Sequence, residues 1–170
     1  MILKPQDILV LLKLVANGSN QWAFGPLAEQ LYMSPSEVHA GIKRAKQARL
    51  YDEENKRPRK SALYEFLIHG VKYAFPAKRG ELTRGIPTSF AAPPLVEKIV
   101  QPDVIPVWPY AEGSDRGYMF SPLYRSVPQA ALEDSMLYEL LALVDALRDG
   151  SAREVQIAAD ELANRLNLNE

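Results

Sequence analysis

The stretch "MSPSE", residues 33–37, limits the possible folds of this chain more than any other segment. Ser34 is a residue type that caps helix N-termini, Pro35 suits a first helical turn, and Glu37 completes a capping box three residues after the serine. A helix, helix 3, is therefore predicted to begin at Pro35 and to end near Arg49. Leucines with helical spacing lie only a few residues before this signal, so two helices joined by a tight turn are predicted.

Two helices are predicted before the "MSPSE" signal. Helix 1 covers residues 5–17 and ends at Gly18, because glycine accepts the left-handed backbone that commonly closes a helix. Helix 2 is short and begins near Pro26. In helix 3 an apolar stripe faces inward, and Gly41 beside it is predicted to let helix 2 approach closely. The inward residues of helices 2 and 3 are Leu27, Ala28, Leu31, Val38, Ile42 and Ala45.

This order of helices is the one that DNA reading by a helix-turn-helix needs. The second helix packs across the start of the third, and the N-terminal part of the third presents side chains to base edges in the major groove. Small, polar and basic residues occupy that face, and basic residues also contact phosphates. The predicted DNA-contacting residues of helix 3 are Ser36, His39, Lys43, Arg44 and Gln47.

The segment "LAEQLYMSPSEVHAGIKRA", residues 27–45, resembles the helix-turn-helix of bacterial winged-helix transcription regulators of the MarR-like kind. The resemblance implies DNA binding and a wing after the helices. The sequence departs from the family at Tyr32, where the family's turn usually has glycine, which predicts a left-handed backbone for this tyrosine. Segments such as "EFLIHGVKYAFPAKRGELTRGIPT" are similar to bacterial proteins that include antitoxin-like partners of enzymes.

Two segments are candidates for the wing. One is the basic loop "NKRPRK", residues 55–60, directly after helix 3. The other is a hairpin after a fourth helix, in which "VKYAF" and "TRGIPTSF" are the strands and Lys78 and Arg79 lie near the tip. The alternation of Val71, Tyr73 and Phe75 predicts the first strand of this hairpin, and the hairpin is the preferred candidate for the wing. Lys78 and Arg79 are therefore predicted to contact DNA.

The predicted fold class is α+β and mostly α, with three segments. Residues 1–90 form a winged helix-turn-helix, residues 91–127 form a proline-rich extended connector with an edge strand at "VIPVW", and residues 128–170 form a helical hairpin. Proline removes a ladder donor and fixes φ, which favours extended structure in the middle segment. The apolar stripes of the two C-terminal helices predict dimer or partner contacts.

Charge is divided unevenly between the halves of the chain. Residues 1–90 contain fourteen basic and eight acidic residues, net +6, and the remainder contains six basic and thirteen acidic residues, net −7. Such a division predicts a polyanion-binding module joined to an acidic one. The expected partners are double-stranded DNA and a second copy of the chain. A protein-interaction module, such as an antitoxin-like partner of an enzyme, remains the alternative.

Several function classes have no support in the sequence. The chain has no cysteine and two histidines, and no spacing typical of metal ligands surrounds either histidine. No serine has a histidine at the spacing of a hydrolytic triad, so no catalytic residue, cofactor or enzymatic activity is predicted. No apolar run approaches the roughly 20 residues of a membrane span, and the N-terminus lacks the features of a signal peptide. A cytoplasmic location is expected.

Overall fold

The structure is a computed structural model that describes residues 1–168. It is α+β, as predicted, and about half of it is helical. The helices are α1 Pro5–Asn17, α2 Phe24–Leu31, α3 Pro35–Gln47, α4 Lys60–His69, α5 Val71–Ala74, α6 Val127–Leu132, α7 Ser135–Asp149 and α8 Ala152–Arg165. The strands are β1 Tyr51–Asp52, β2 Arg57–Pro58, β3 Arg79–Pro87, β4 Pro106–Pro109 and β5 Asp115–Phe120.

The first three helices follow the sequence signals. Gly18 ends α1 with φ of 65°, and Tyr32 ends α2 in the predicted left-handed conformation, with φ of 54° and ψ of 41°. Ser34 caps α3 by accepting a hydrogen bond from the Glu37 amide at 3.1 Å. The other half of the predicted capping box is wrong, because the Glu37 carboxylate bonds the Tyr124 hydroxyl instead of the Ser34 amide. Helix α3 ends two residues before the predicted end, and α2 begins two residues before Pro26.

The predicted hairpin between "VKYAF" and "TRGIPTSF" is wrong. Residues 71–74 form the short helix α5, in which Val71 is buried and Tyr73 is 76% exposed. Val71 and Phe75 are four residues apart, so they also share a helical face, and Phe75 packs edge-on against Phe66 of α4. An apolar pattern that fits the period of a strand and also the period of a helix does not distinguish a strand from a single helical turn.

The strand β3 pairs elsewhere, with β5 along most of its length and with β4 at its C-terminal end. β4 also pairs with β5 in parallel, so the three strands close into a small barrel. The predicted edge strand at "VIPVW" therefore has partners on both sides. Its prolines, Pro106 and Pro109, occupy the two ends of β4, and the first position of a strand tolerates proline.

A continuous hydrophobic core extends across all three predicted segments. Helix α1 buries eight consecutive residues and packs against α7, which is buried from Leu140 to Arg148. Helices α7 and α8 form the predicted antiparallel pair, and Arg165 near the end of α8 bonds Glu139 near the start of α7. The apolar stripes on which the dimer prediction rests are covered by the same chain.

A buried ion pair joins α7 to the barrel. Asp145 accepts hydrogen bonds from Trp108 and Thr88, each at 2.7 Å, and from Arg148 at 2.8 Å. Arg148 also donates to the carbonyl groups of Phe75 and Ser121. Burial raises the pKa of Asp145, and these donors oppose the rise. The network is satisfied within the fold and holds the barrel against the long helix.

No helix in residues 1–168 combines the length and the apolar character needed to cross a bilayer.

Candidate nucleic-acid interface

The outward side of α3 is open to solvent. Helix α3 buries Val38, Gly41 and Ala45 against its neighbours, and Ile42 is half-buried. The residues on the opposite side are exposed, apart from the half-buried Ala40. This surface, called the α3 face below, consists of Ser36, His39, Lys43, Lys46 and Gln47. Four of the five predicted DNA-contacting residues of helix 3 thus lie together on one accessible surface.

Arg44 is the fifth predicted DNA-contacting residue of helix 3, and its side chain turns away from the α3 face. Its guanidinium donates two hydrogen bonds of 2.8 Å to the two carboxylate oxygens of Asp7 in α1. Asp7 is fully buried, the Arg44 side chain is 13% exposed, and the bond to Asp7 raises the pKa of Arg44. A bidentate pair of this kind fixes geometry strongly. Arg44 therefore holds α3 against α1, and we remove it from the predicted DNA contacts.

Gly41 allows the same pair of helices to approach. A Cβ atom at this position would lie 3.0 Å from Oδ1 of Asp7 and 3.7 Å from Cγ2 of Val10. The predicted close approach at Gly41 therefore exists, but its partner is α1 and not α2. Asp7 also accepts a hydrogen bond from the Lys4 amide at 2.8 Å, so one carboxylate caps α1 and anchors α3.

His39 is held in a fixed orientation on the α3 face. Its ring stacks on Phe24 at the start of α2, with centroids 3.5 Å apart and planes 13° from parallel. A groove of about 460 Å³ lies beside the two rings. Its remaining lining comes from α3 and β1, namely Ala40, Ile42, Lys43, Lys46, Tyr51 and Glu53. Phe24 therefore covers one face of the imidazole, and His39 remains exposed.

The hairpin of β1 and β2 directly follows α3. Asp52 organises its turn by accepting from the amides of Glu54 and Asn55, and the Asn55 side chain lowers the pKa of Asp52. The indole of Trp22 donates to the carbonyl of Lys56 at 2.8 Å, which ties the hairpin to the segment before α2. The segment "NKRPRK" thus belongs to an ordered hairpin rather than to a mobile loop. Its exposed basic residues are Lys56, Arg57 and Arg59.

Acidic residues reduce the positive charge at the hairpin tip. Glu53 pairs with Lys46 of α3, and Glu54 is exposed beside it. The positive charge free for a polyanion therefore lies on Lys43, Arg49 and the β2 side of the hairpin. Arg49 has φ of 63°, a left-handed conformation that favours glycine at the end of a helix.

Lys78 and Arg79 lie at the beginning of β3 rather than at a hairpin tip. Arg79 bonds Asp149 of α7 at 2.6 Å and stacks over the ring of Tyr118 in β5. These partners belong to the barrel and to the C-terminal end of α7, whereas α3 packs against α1, α2 and β1. Lys78 and Arg79 therefore do not join the α3 face.

A contact at the start of α3 had no signal in the sequence. The carboxylate of Glu37 accepts a hydrogen bond from the Tyr124 hydroxyl at 2.7 Å and lies 3.7 Å from the Arg125 guanidinium. Tyr32, in the preceding turn, donates to Glu133, and this hydrogen bond raises the pKa of Tyr32. These partners are about 90 or more residues away in sequence, a separation at which local patterns carry no information. The second half of the chain thus supports the turn without covering the α3 face.

Residues 1–168 contain no group of three or more histidine and acidic side chains arranged to hold a metal ion.

Comparisons with protein-family models, with curated proteins and with solved structures found no match to this chain.

Proposed function

We propose that this protein binds double-stranded DNA by placing the α3 face in the major groove. The observation that carries the proposal is the exposure of Ser36, His39, Lys43 and Gln47 on one side of a helix whose other side is anchored by Asp7 and Arg44. A rigid helix with a free polar face, preceded by a short helix and a tight turn, is what groove reading requires. Sequence-specific regulation of transcription is the corresponding biological role.

In this proposal the residues of the α3 face have separate tasks. Ser36 and His39 lie nearest the N-terminal end of α3 and face base edges, where hydroxyl and imidazole groups form hydrogen bonds. Lys43 and Gln47 follow at one-turn intervals and contact either bases or the adjacent phosphates. Arg49 contacts the phosphate backbone. Its backbone is left-handed, so glycine would be less strained at this position, and we infer that the basic side chain is kept there for binding.

The β1–β2 hairpin takes the part of the wing in this proposal. It follows α3 directly, and Trp22 fastens it to the segment before α2. Lys56 and Arg57 are its contacts to the backbone, whereas Glu53 and Glu54 keep the tip itself away from phosphates. Lys78 and Arg79 have no part in this role, because the hairpin in which they were expected does not form.

Selection of duplexes from a random library, followed by anisotropy titration, tests the proposal. We expect enrichment of a defined sequence, and we expect Lys43→Gln to weaken binding and to lower the slope of log affinity against log salt by about one. Lys72→Gln is the matched control, because Lys72 is an exposed lysine on α5. His39→Ala should relax the selected sequence at one position.

Two outcomes would overturn the proposal. One is a wild-type protein that enriches no duplex, and the other is a Lys43→Gln variant that binds the selected duplex as tightly as the Lys72→Gln control. A stoichiometric protein that copurifies from the native host, without DNA retention, would instead favour the alternative of a protein-interaction module.

A further inference from the structure

The ribbon formed by β3 and β5 carries two arginines directly across from each other. Arg84 pairs with Arg116 in the antiparallel register, two positions from the pair Leu82 and Tyr118, which lies on the same face. Cβ atoms at such positions are roughly 4.5–5.5 Å apart, and like charges there destabilise a sheet. Both arginines are exposed, and within residues 1–168 neither guanidinium has a hydrogen bond or an ion pair.

Two glycines force both arginines onto the solvent side of the ribbon. A Cβ atom at Gly85 would lie 1.9 Å from the carbonyl oxygen of Trp108, and one at Gly117 would lie 2.0 Å from that of Ile105. The ribbon therefore closes against β4 and the residue before it only because these positions lack side chains. Successive side chains alternate between the faces of a strand, so Arg84 and Arg116 face outward.

Acidic neighbours do not neutralise the pair. Asp115 is opposite Gly85 in the register, one position away from the arginine pair and therefore directed to the other face, and it accepts a hydrogen bond from Ser114 at 2.7 Å. Glu81 lies beyond Leu82, beside the irregular part of the β3–β5 register. The ribbon thus holds two positive charges side by side, and they have no partner in the protein.

A backbone hydrogen bond lies beside the arginine pair. The amide of Tyr110, which follows β4, donates to the carbonyl of Arg84 at 3.1 Å. The backbone of Arg84 is thus tied to the barrel, while its side chain is exposed to solvent.

We propose that Arg84 and Arg116 together bind the phosphodiester backbone of double-stranded DNA. This inference rests on the proposed function and adds a second contact surface to it. A phosphate between two guanidinium groups accepts hydrogen bonds from both and removes their mutual repulsion. The ribbon contact is independent of base sequence, because phosphates carry no direct sequence information.

The test compares a double variant, which carries both Arg84→Gln and Arg116→Gln, with the wild-type protein. We expect the salt slope of duplex affinity to fall by about two and the affinity at 100 mM salt to fall by more than roughly tenfold, for specific and random duplexes alike. The melting temperature should stay the same or rise, since the substitutions remove a repulsion. Arg153→Gln is the matched control, because Arg153 is exposed on α8 without an ion pair within residues 1–168.

Lys43→Gln, measured in parallel, separates this inference from the proposed function. If Lys43→Gln weakens binding and the ribbon variant behaves like Arg153→Gln, the ribbon inference is overturned and the α3 proposal stands. If only the ribbon variant weakens binding, the ribbon is supported and α3 is not the reader. A wild-type protein that binds no duplex overturns both. Polyglutamate serves as a competing polyanion. If it displaces the duplex when both polyanions are present at the same concentration of charge, the assignment of the arginine pair to nucleic acid is overturned.

Discussion

Helices α3 and α7 are similar in length but use their charged residues in opposite ways. Helix α7 has fifteen residues and buries ten of them, including Asp145 and Arg148. Helix α3 has thirteen residues and buries three, leaving most of its charged and polar side chains in solvent. In α3, Arg44 bonds Asp7 as Arg148 bonds Asp145, and the exposed Lys46 pairs with Glu53. Charge in the interior of this molecule fixes one element against another, whereas the exposed Lys43 of α3 has no partner among residues 1–168.

The largest effect that tests this comparison is expected from Asp145→Asn. The substitution leaves the buried Arg148 without its carboxylate, and loss of one partner of a buried pair costs about 3–5 kcal/mol. Urea unfolding monitored by circular dichroism measures this free energy. Asp149→Asn is the control: Asp149 is also paired with an arginine, but at a more exposed site, so its loss should cost no more than about 1 kcal/mol. Equal losses in the two variants would contradict a structural role for the Asp145 network.

A smaller loss of about 2–3 kcal/mol is expected from Asp7→Asn. The two charge-assisted bonds to Arg44 are weakened, but the arginine side chain is partly exposed and gains contact with water. Because the pair fixes α3 against α1, the same variant should also bind duplex DNA more weakly, although Asp7 is itself buried and acidic. Lys13→Gln is the control, since it breaks the bond of Lys13 to Asp134 and leaves the anchor of α3 intact. Loss of stability without loss of affinity would show that the orientation of α3 does not depend on this pair.

The sequence predicts local structure better than it predicts partners. The Ser34 cap, the Gly18 stop and the left-handed Tyr32 were all found where expected, because each depends on a few adjacent residues. The strand pairing of β3 was wrong, since the true partners, β4 and β5, are about 20 to 40 residues further along the chain. Local alternation does not identify a strand partner at that separation.

The same lack of information about distant partners explains why Arg44 was wrongly placed among the DNA-contacting residues. Exposure on α3 follows from helical periodicity, so the grouping of Ser36, His39, Lys43 and Gln47 could be predicted. The partner of Arg44 could not, because Asp7 is 37 residues away and gives no sign of its burial in the sequence. Arg84 and Arg116 become a pair only through the antiparallel register of β3 and β5.

Arg49→Gly is expected to raise the stability of the protein rather than to lower it. Glycine adopts the left-handed conformation at this helix end without the steric cost of a side chain, so stability should rise by about 1 kcal/mol. Affinity for duplex DNA should fall, with a salt slope lower by about one, because a proposed phosphate contact is lost. Asn167→Gly supplies the comparison, since Asn167 also has positive φ but lies after α8. If Arg49→Gly stabilises the protein and leaves affinity unchanged, the strained arginine has no role in binding.

The smallest effect on stability is expected from Lys43→Gln, and Arg44→Gln is its comparison. These neighbours have the same charge, but Lys43 is exposed and without a partner among residues 1–168, whereas Arg44 bonds a buried carboxylate. Lys43→Gln should change the free energy of unfolding by less than about 0.5 kcal/mol, as is usual for surface substitutions. Arg44→Gln should lower it by several times as much, because Asp7 then remains buried without its charged partner. Parallel urea titrations of the two variants measure the difference. Similar stabilities would mean that Arg44 is as free as Lys43, and the division between anchoring and displayed charge would then not hold on α3.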